Sequence, residues 1–127
     1  MTPELIVNGA AGRMGKRIIA LAIEAAQFNI VGAIEYAGHP DSGADAGSLA
    51  GAKSINVPIS NKYPSTADVM IDFSLPEAAD ASIDWCAKNG VALVLGTTGL
   101  SNTQLQKIKD ASGHIPIVQA TNMSVGM

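Results

Sequence analysis

Apolar residues along this chain fall into short continuous runs, and the stretches between them carry either helical periodicity or glycine and proline. Leu5-Ile6-Val7 predicts a first strand from Leu5 to Asn8. Met14, Ile18, Leu21/Ala22 and Ala25 then recur with a period of about 3.6 residues, predicting a helix from Arg13 to about Ala26. Phe28-Asn29 turns the chain into a second strand, Ile30 to Ile34, which ends at Glu35. From Tyr36 to Lys53 four glycines, Pro40 and several Asp and Ser predict a long loop. Ile55 to Ile59 reads as a short strand at a sheet edge, because Pro58 cannot donate to a central ladder. Val69 to Phe73 is the next strand. A helix follows, with capping-box spacing at Ser74–Glu77, an early Pro76, and Gly90 placed to end it after Asn89. Val91 to Leu95 is continuously apolar, as a strand covered on both faces must be. Ser101–Gln104 repeats the capping-box spacing and opens a last helix ending near Gly113, and Pro116 to Ala120 closes the series as a strand. Strands alternating with helices define the α/β class, here a Rossmann-type, doubly wound parallel sheet with helices on both faces.

The turn between the first strand and helix concentrates the candidate chemistry. Gly9, Gly12 and Gly15 make a Gly-x-x-Gly-x-x-Gly spacing, a close variant of the dinucleotide fingerprint, in the strand–turn–helix setting that fingerprint requires. Gly9 suits a tight turn, Gly12 lets main chain approach a pyrophosphate, and Gly15 lets the helix pack closely on the sheet. The helix directs its first N–H groups and positive dipole end at an anion, and Arg13 adds a charged donor there. Glu35 stands twenty residues after Gly15 at the tip of the second strand, where a carboxylate can hold a ribose 2′-hydroxyl. A glycine turn without ligand and a solvated strand-end acid are the plain alternatives, and the two features together favour nucleotide binding.

Composition narrows the field. The 127 residues are 47% hydrophobic and 15% charged, enough for a single domain whose sheet is covered on both sides. A net charge of −3 offers no footprint for nucleic acid or an acidic membrane. No apolar run approaches a membrane span, no signal peptide opens the chain, and Cys86 is the lone cysteine, so the expectation is a cytoplasmic protein without disulfides. Cys86 and Trp85 read as core, His39 and His114 lack partners at metal-ligand spacing, and no metal site is expected. Asp72 reads as a local hydrogen-bonding anchor. Other strand-end loops, Phe73-Ser74, Gly96-Thr97-Thr98-Gly99 and Ala120-Thr121-Asn122-Met123, are where a doubly wound sheet presents ligands. No proton donor or nucleophile pairing stands out, and no catalytic residue is expected in this chain.

Five segments occur in an order that resembles a known family: Val7 to Gly15, Gly43-Ala44-Asp45-Ala46-Gly47, Ile71-Asp72-Phe73-Ser74-Leu75-Pro76, Gly96-Thr97-Thr98-Gly99, and Ala120 to Gly126. The resemblance is to 4-hydroxy-tetrahydrodipicolinate (dihydrodipicolinate) reductase of lysine and diaminopimelate biosynthesis. It implies that Gly9, Ala10, Ala11, Gly12, Arg13 and Met14 bind the pyrophosphate of NADH or NADPH and Glu35 its adenosine ribose. Gly96, Thr97 and Thr98 would hold the nicotinamide side and the substrate edge, Ala120, Thr121, Asn122 and Met123 would line the nicotinamide pocket, and Phe73 is a further cofactor-binding residue. Many relatives carry an arginine after the ribose glutamate; Tyr36 stands there, so the resemblance implies a preference for NADH. It also implies a second, catalytic domain beyond Ser124-Val125-Gly126, a small dicarboxylate substrate shared with that domain, and a homo-oligomeric (in the family, tetrameric) whole protein. Residues 1–127 are then the dinucleotide-binding domain ending at a hinge, with no turnover expected from it alone. An aspartate- or homoserine-type dehydrogenase half and a stand-alone NAD(H)-sensing module are the other readings.

Overall fold

The computed structural model describes residues 2–97 and 99–119. In chain order it places β1 (Glu4–Asn8), α1 (Arg13–Ala25), β2 (Asn29–Ile34), α2 (Ala46–Leu49) and β3 (Ile59–Ser60). Then come β4 (Val69–Asp72), α3 (Pro76–Asn89), β5 (Ala92–Leu95), α4 (Asn102–Ala111) and β6 (Ile117–Gln119). All neighbouring strands of the one sheet are parallel, in the order β3-β2-β1-β4-β5-β6. The chain therefore winds outward from β1 to β3, returns to the other side of β1, and winds outward again. This is the doubly wound Rossmann order, and the reversal falls between β1 and β4.

Alternation along β1 divides the core. Leu5 and Val7 face one side, with Ile19 and Ala22 of α1, Ala46 of α2 and Ile59. Ile6 faces the other, with Met70, Leu93 and Leu95 of the sheet and Ala79, Ile83 and Cys86 of α3 and Ile108 of α4. Helices thus cover both faces, and burying each large aliphatic side chain contributes roughly 1.5–3 kcal/mol. Trp85 is only partly buried and stacks on Tyr63 with ring centroids 4.9 Å apart.

Three details depart from the sequence pattern. The face of α1 turned to the sheet is Gly15, Ile19 and Ala22, while Leu21 is 51% exposed. The helix is thus rotated by about one residue from the face marked by Met14, Ile18, Leu21/Ala22 and Ala25. Gly15 sets that rotation. A Cβ there would overlap the carbonyl oxygen of Gly9 and lie 2.8 Å from Ala10 Cα, so the bare glycine face is the one that can press on the turn.

The predicted Tyr36–Lys53 loop holds a one-turn helix, α2, whose N-cap is Asp45. Its carboxylate accepts from the N–H groups of Ser48 (2.9 Å), Ile55 (3.1 Å) and Val57 (3.1 Å). The N–H groups of Ile55 and Val57 thus go to a side chain, and main chain joins this segment only in an isolated antiparallel bridge, so the edge strand shrinks from the expected Ile55–Ile59 to Ile59–Ser60.

At α3 the N-cap is Leu75, without a side-chain bond, rather than Ser74. The Ser74 hydroxyl donates to Asp72 Oδ1 instead. A carboxylate two residues back is the stronger acceptor, and Pro76 removes one of the N–H groups a cap would serve. The Ser101 capping box forms as expected, with both reciprocal bonds.

Candidate functional site

A cavity of about 530 Å³ opens at the carboxyl ends of β1, β2 and β4, at the reversal of strand order. Its walls include Gly9, Gly12, Glu35 and Phe73 from the predicted set. Tyr63, Leu75 and Ala78 also line it. Leu75 lies in the Ile71–Pro76 segment, whereas no pattern marked Tyr63 or Ala78, which come from a loop and the first turn of α3 brought in by the fold.

Most amides of the β1–α1 turn are committed within the protein. Gly9 and Ala10 donate to the carbonyl of Ile34 (2.9 and 3.1 Å), and Gly12 donates to that of Gly9 (3.1 Å). Gly9 is left-handed, with φ of +81°, and a Cβ would fall 2.8 Å from the backbone of Phe73, so glycine is required twice over. Ala11 N–H donates to Glu35 Oε2 at 2.9 Å, so the strand-tip acid is aimed back at the turn. Ala10 itself is fully buried. The first-turn amides of Arg13 and Met14 have no acceptor among the described residues, and Arg13 is exposed. They are the donors this turn presents to an anion. A Cβ on Gly12 would touch only Gly9 O, at 3.4 Å, so the fold alone does not demand glycine there.

On the other side of the reversal, the Phe73 ring lies against Gly96, where any Cβ would overlap it. Thr97 is 3% exposed and its hydroxyl donates to the Ser74 carbonyl at 3.0 Å. What this turn offers a ligand is therefore main chain rather than the Thr97 hydroxyl. Thr98, Ala120, Thr121, Asn122 and Met123 lie outside the described residues.

The cavity wall also includes a polar group the sequence reading gave no role. Asn8, buried at the end of β1, donates its amide to Ser82 Oγ (2.8 Å) and Tyr63 Oη (3.4 Å). Burial pushes the Tyr63 phenol above its ordinary range, so it stays neutral. A polar residue closing an apolar strand was the signal available. Asp72 is the anchor expected of it, taking the Ser74 N–H at 2.7 Å, and burial pushes its carboxyl upward. His39 Nδ1 accepts from the Asp41 N–H at 3.0 Å. Among the described residues no group of three or more His, Cys, Asp or Glu is arranged to hold a metal ion. No helix of the described residues is long and apolar enough to cross a membrane.

Strand order, glycine turn and cavity define a Rossmann-type nucleotide-fold domain. Residues 3–123 match the family model "Dihydrodipicolinate reductase, N-terminus", and the chain belongs to that family. A 4-hydroxy-tetrahydrodipicolinate reductase from Rhodopirellula baltica is 43% identical over 128 residues, covering 97% of this chain and 46% of the relative. Another, from Alkalilimnicola ehrlichii, is 42% identical and is covered over 49% of its length, so the chain spans about half the length of the curated relatives it matches. Among solved structures, dipicolinate-bound dihydrodipicolinate reductase from Paenisporosarcina sp. TG-14 superposes with a TM-score of 0.65 at 19% identity, over 88% of this chain and 43% of that one. At that identity the likeness bears on the fold alone.

Proposed function

We propose that this chain is the NAD(P)H-binding half of a 4-hydroxy-tetrahydrodipicolinate reductase. The observation that carries the reading is Glu35 held 2.9 Å from the Ala11 amide at the rim of the cavity at the β1/β4 reversal. Together with family membership, it favours a ligand that is an anion at one end and a sugar at the other. The residues fit such a ligand. Gly12 leaves room that the fold does not need, Arg13 and Met14 present free amides, and Glu35 offers a second carboxylate oxygen to a ribose hydroxyl. Gly96 and Thr97 would face the nicotinamide half with main-chain groups, with Thr98 and Ala120 to Met123 completing that side. Reduced nicotinamide supplies the hydride. This chain's own part is to bind and orient the dinucleotide. The dicarboxylate substrate, the proton donor and the contacts of a homo-oligomer are assigned to a second domain of the whole protein, working in the cytoplasm, and residues 1–127 alone are expected to show no turnover.

NADH is the preferred cofactor in this reading. A 2′-phosphate would sit against the Glu35 carboxylate, and Tyr36 supplies no cation to offset it. Screened repulsion between such charges is about 1–2 kcal/mol, or roughly tenfold in affinity. Calorimetric titration of the chain with each cofactor tests this. NADH is expected to bind about tenfold more tightly, and Glu35→Gln to narrow the gap. Equal dissociation constants in the unsubstituted chain would refute the preference.

A further inference from the structure

Asp72 ends β4 with no solvent exposure at all. Its Oδ1 takes two bonds from one residue, the N–H of Ser74 at 2.7 Å and the hydroxyl of Ser74 at 2.5 Å, while its Oδ2 is buried with no partner among the described residues. Ser74 is thereby fixed, and its carbonyl accepts the Thr97 hydroxyl at 3.0 Å. The Asp72 carbonyl also accepts the N–H of Gly96 at 2.8 Å, and the Phe73 ring between them lies against Gly96. The turn after β4 and the turn after β5 are thus tied twice, once through main chain at Gly96 and once through a route that begins at the Asp72 carboxyl. Burying a carboxyl whose second oxygen has only the neighbouring Ser82 hydroxyl to turn to costs stability. What the carboxyl provides is two short bonds that fix the Ser74 turn.

We infer that Asp72 is a positioning residue: through the Ser74 carbonyl and the Thr97 hydroxyl it sets the Gly96–Thr97 main chain against the nicotinamide half of the dinucleotide. This rests on the NAD(P)H reading above. Asp72 is not among the residues lining the cavity, so it acts through its neighbours.

The test compares affinities of the chain for NADH and for ADP-ribose, which lacks the nicotinamide. In the unsubstituted chain NADH binds the more tightly of the two. Asp72→Ala and Thr97→Val each reduce that advantage about threefold to tenfold, the worth of one lost hydrogen bond, and leave ADP-ribose within about twofold. Asp72→Asn keeps an acceptor for Ser74 and restores most of the advantage. Combining Asp72→Ala with Thr97→Val costs no more than either alone, because both break one chain of contacts. If Asp72→Ala does not fold, Thr97→Val, which removes only the last link, decides the matter. An unchanged NADH advantage, or an equal loss for both ligands, overturns the inference while leaving the dinucleotide reading standing. Failure of the unsubstituted chain to bind either ligand overturns the reading itself, and the inference with it.

Discussion

Gly12 and Gly15 lie three residues apart on one turn, yet the structure assigns them opposite kinds of work, and alanine at each separates the two. At Gly15 a methyl group would overlap the Gly9 carbonyl oxygen and lie 2.8 Å from Ala10 Cα. Both obstacles are backbone and cannot rotate away, so α1 must lift from the turn. Overpacking of this kind costs about 1–3 kcal/mol, here toward the upper end, and the gain in helix propensity returns about 1 kcal/mol. The net loss is about 2 kcal/mol, or a fall of roughly 7 °C in Tm for a domain of this size. At Gly12 the added methyl meets a single atom at 3.4 Å, and the cost is that of a poorer N-cap, about 0.5 kcal/mol. Gly12→Ala is therefore expected to fold nearly as well as the unsubstituted chain and to bind ADP-ribose at least ~10-fold more weakly, since its methyl fills space reserved for a pyrophosphate. Thermal melts followed by circular dichroism, with calorimetric titration of each variant, give both readouts. A Gly15→Ala protein as stable as its parent would refute the packing argument, and a Gly12→Ala protein with undiminished affinity would refute the assignment of that space to a ligand.

Two further outcomes follow from buried or tethered side chains. Cys86 has no exposed surface and burial pushes its thiol up to about 12, so a thiol reagent at about pH 8 should label it only as fast as the chain unfolds; rapid stoichiometric labelling of the native protein would contradict its burial. The N–H groups of Ser48, Ile55 and Val57 hold the Asp45 carboxyl at about 2, below its ordinary 3.8. A depressed carboxyl stabilises the fold above about pH 4 and loses that contribution as the pH falls toward 2, so the Tm advantage over Asp45→Asn should shrink across that window. An advantage independent of pH would rule the tether out.

Much of this architecture is legible in the residues themselves. The apolar runs at Leu5, Ile30, Val69 and Val91 all become strands, because parallel strands buried on both faces leave no room for polar alternation. The helices that begin at Arg13 and, after the Ser101 cap, at Asn102 start where local chemistry puts them. What escapes the pattern is decided by tertiary contact. The Gly9–Gly15 approach rotates α1, Asp45 recruits the N–H groups of residues ten and twelve positions away, and the Asp72 carboxylate captures Ser74 from its capping position. The cavity follows the same division. Gly9, Gly12 and Glu35 declare themselves by spacing, whereas Tyr63 and Ala78 enter only because strand order reverses beside β1. Nothing in the spacing of Thr97 indicates that its hydroxyl is bound to Ser74 rather than offered to a ligand.

The central claim is that the mouth of the β1–α1 unit and the tip of β2 together grip a dinucleotide. Its most direct test is a titration of isotopically labelled chain with ADP-ribose, followed by the amide resonances of residues 9–14 and of Glu35 in two-dimensional NMR. The account predicts that Arg13 and Met14 move most, that Ala11 shifts as Glu35 engages the ribose, and that amides on the far side of the sheet at Phe28 and Lys53 stay still. Saturating ligand that leaves residues 9–14 unmoved, or that shifts only the opposite end of the sheet, would contradict it.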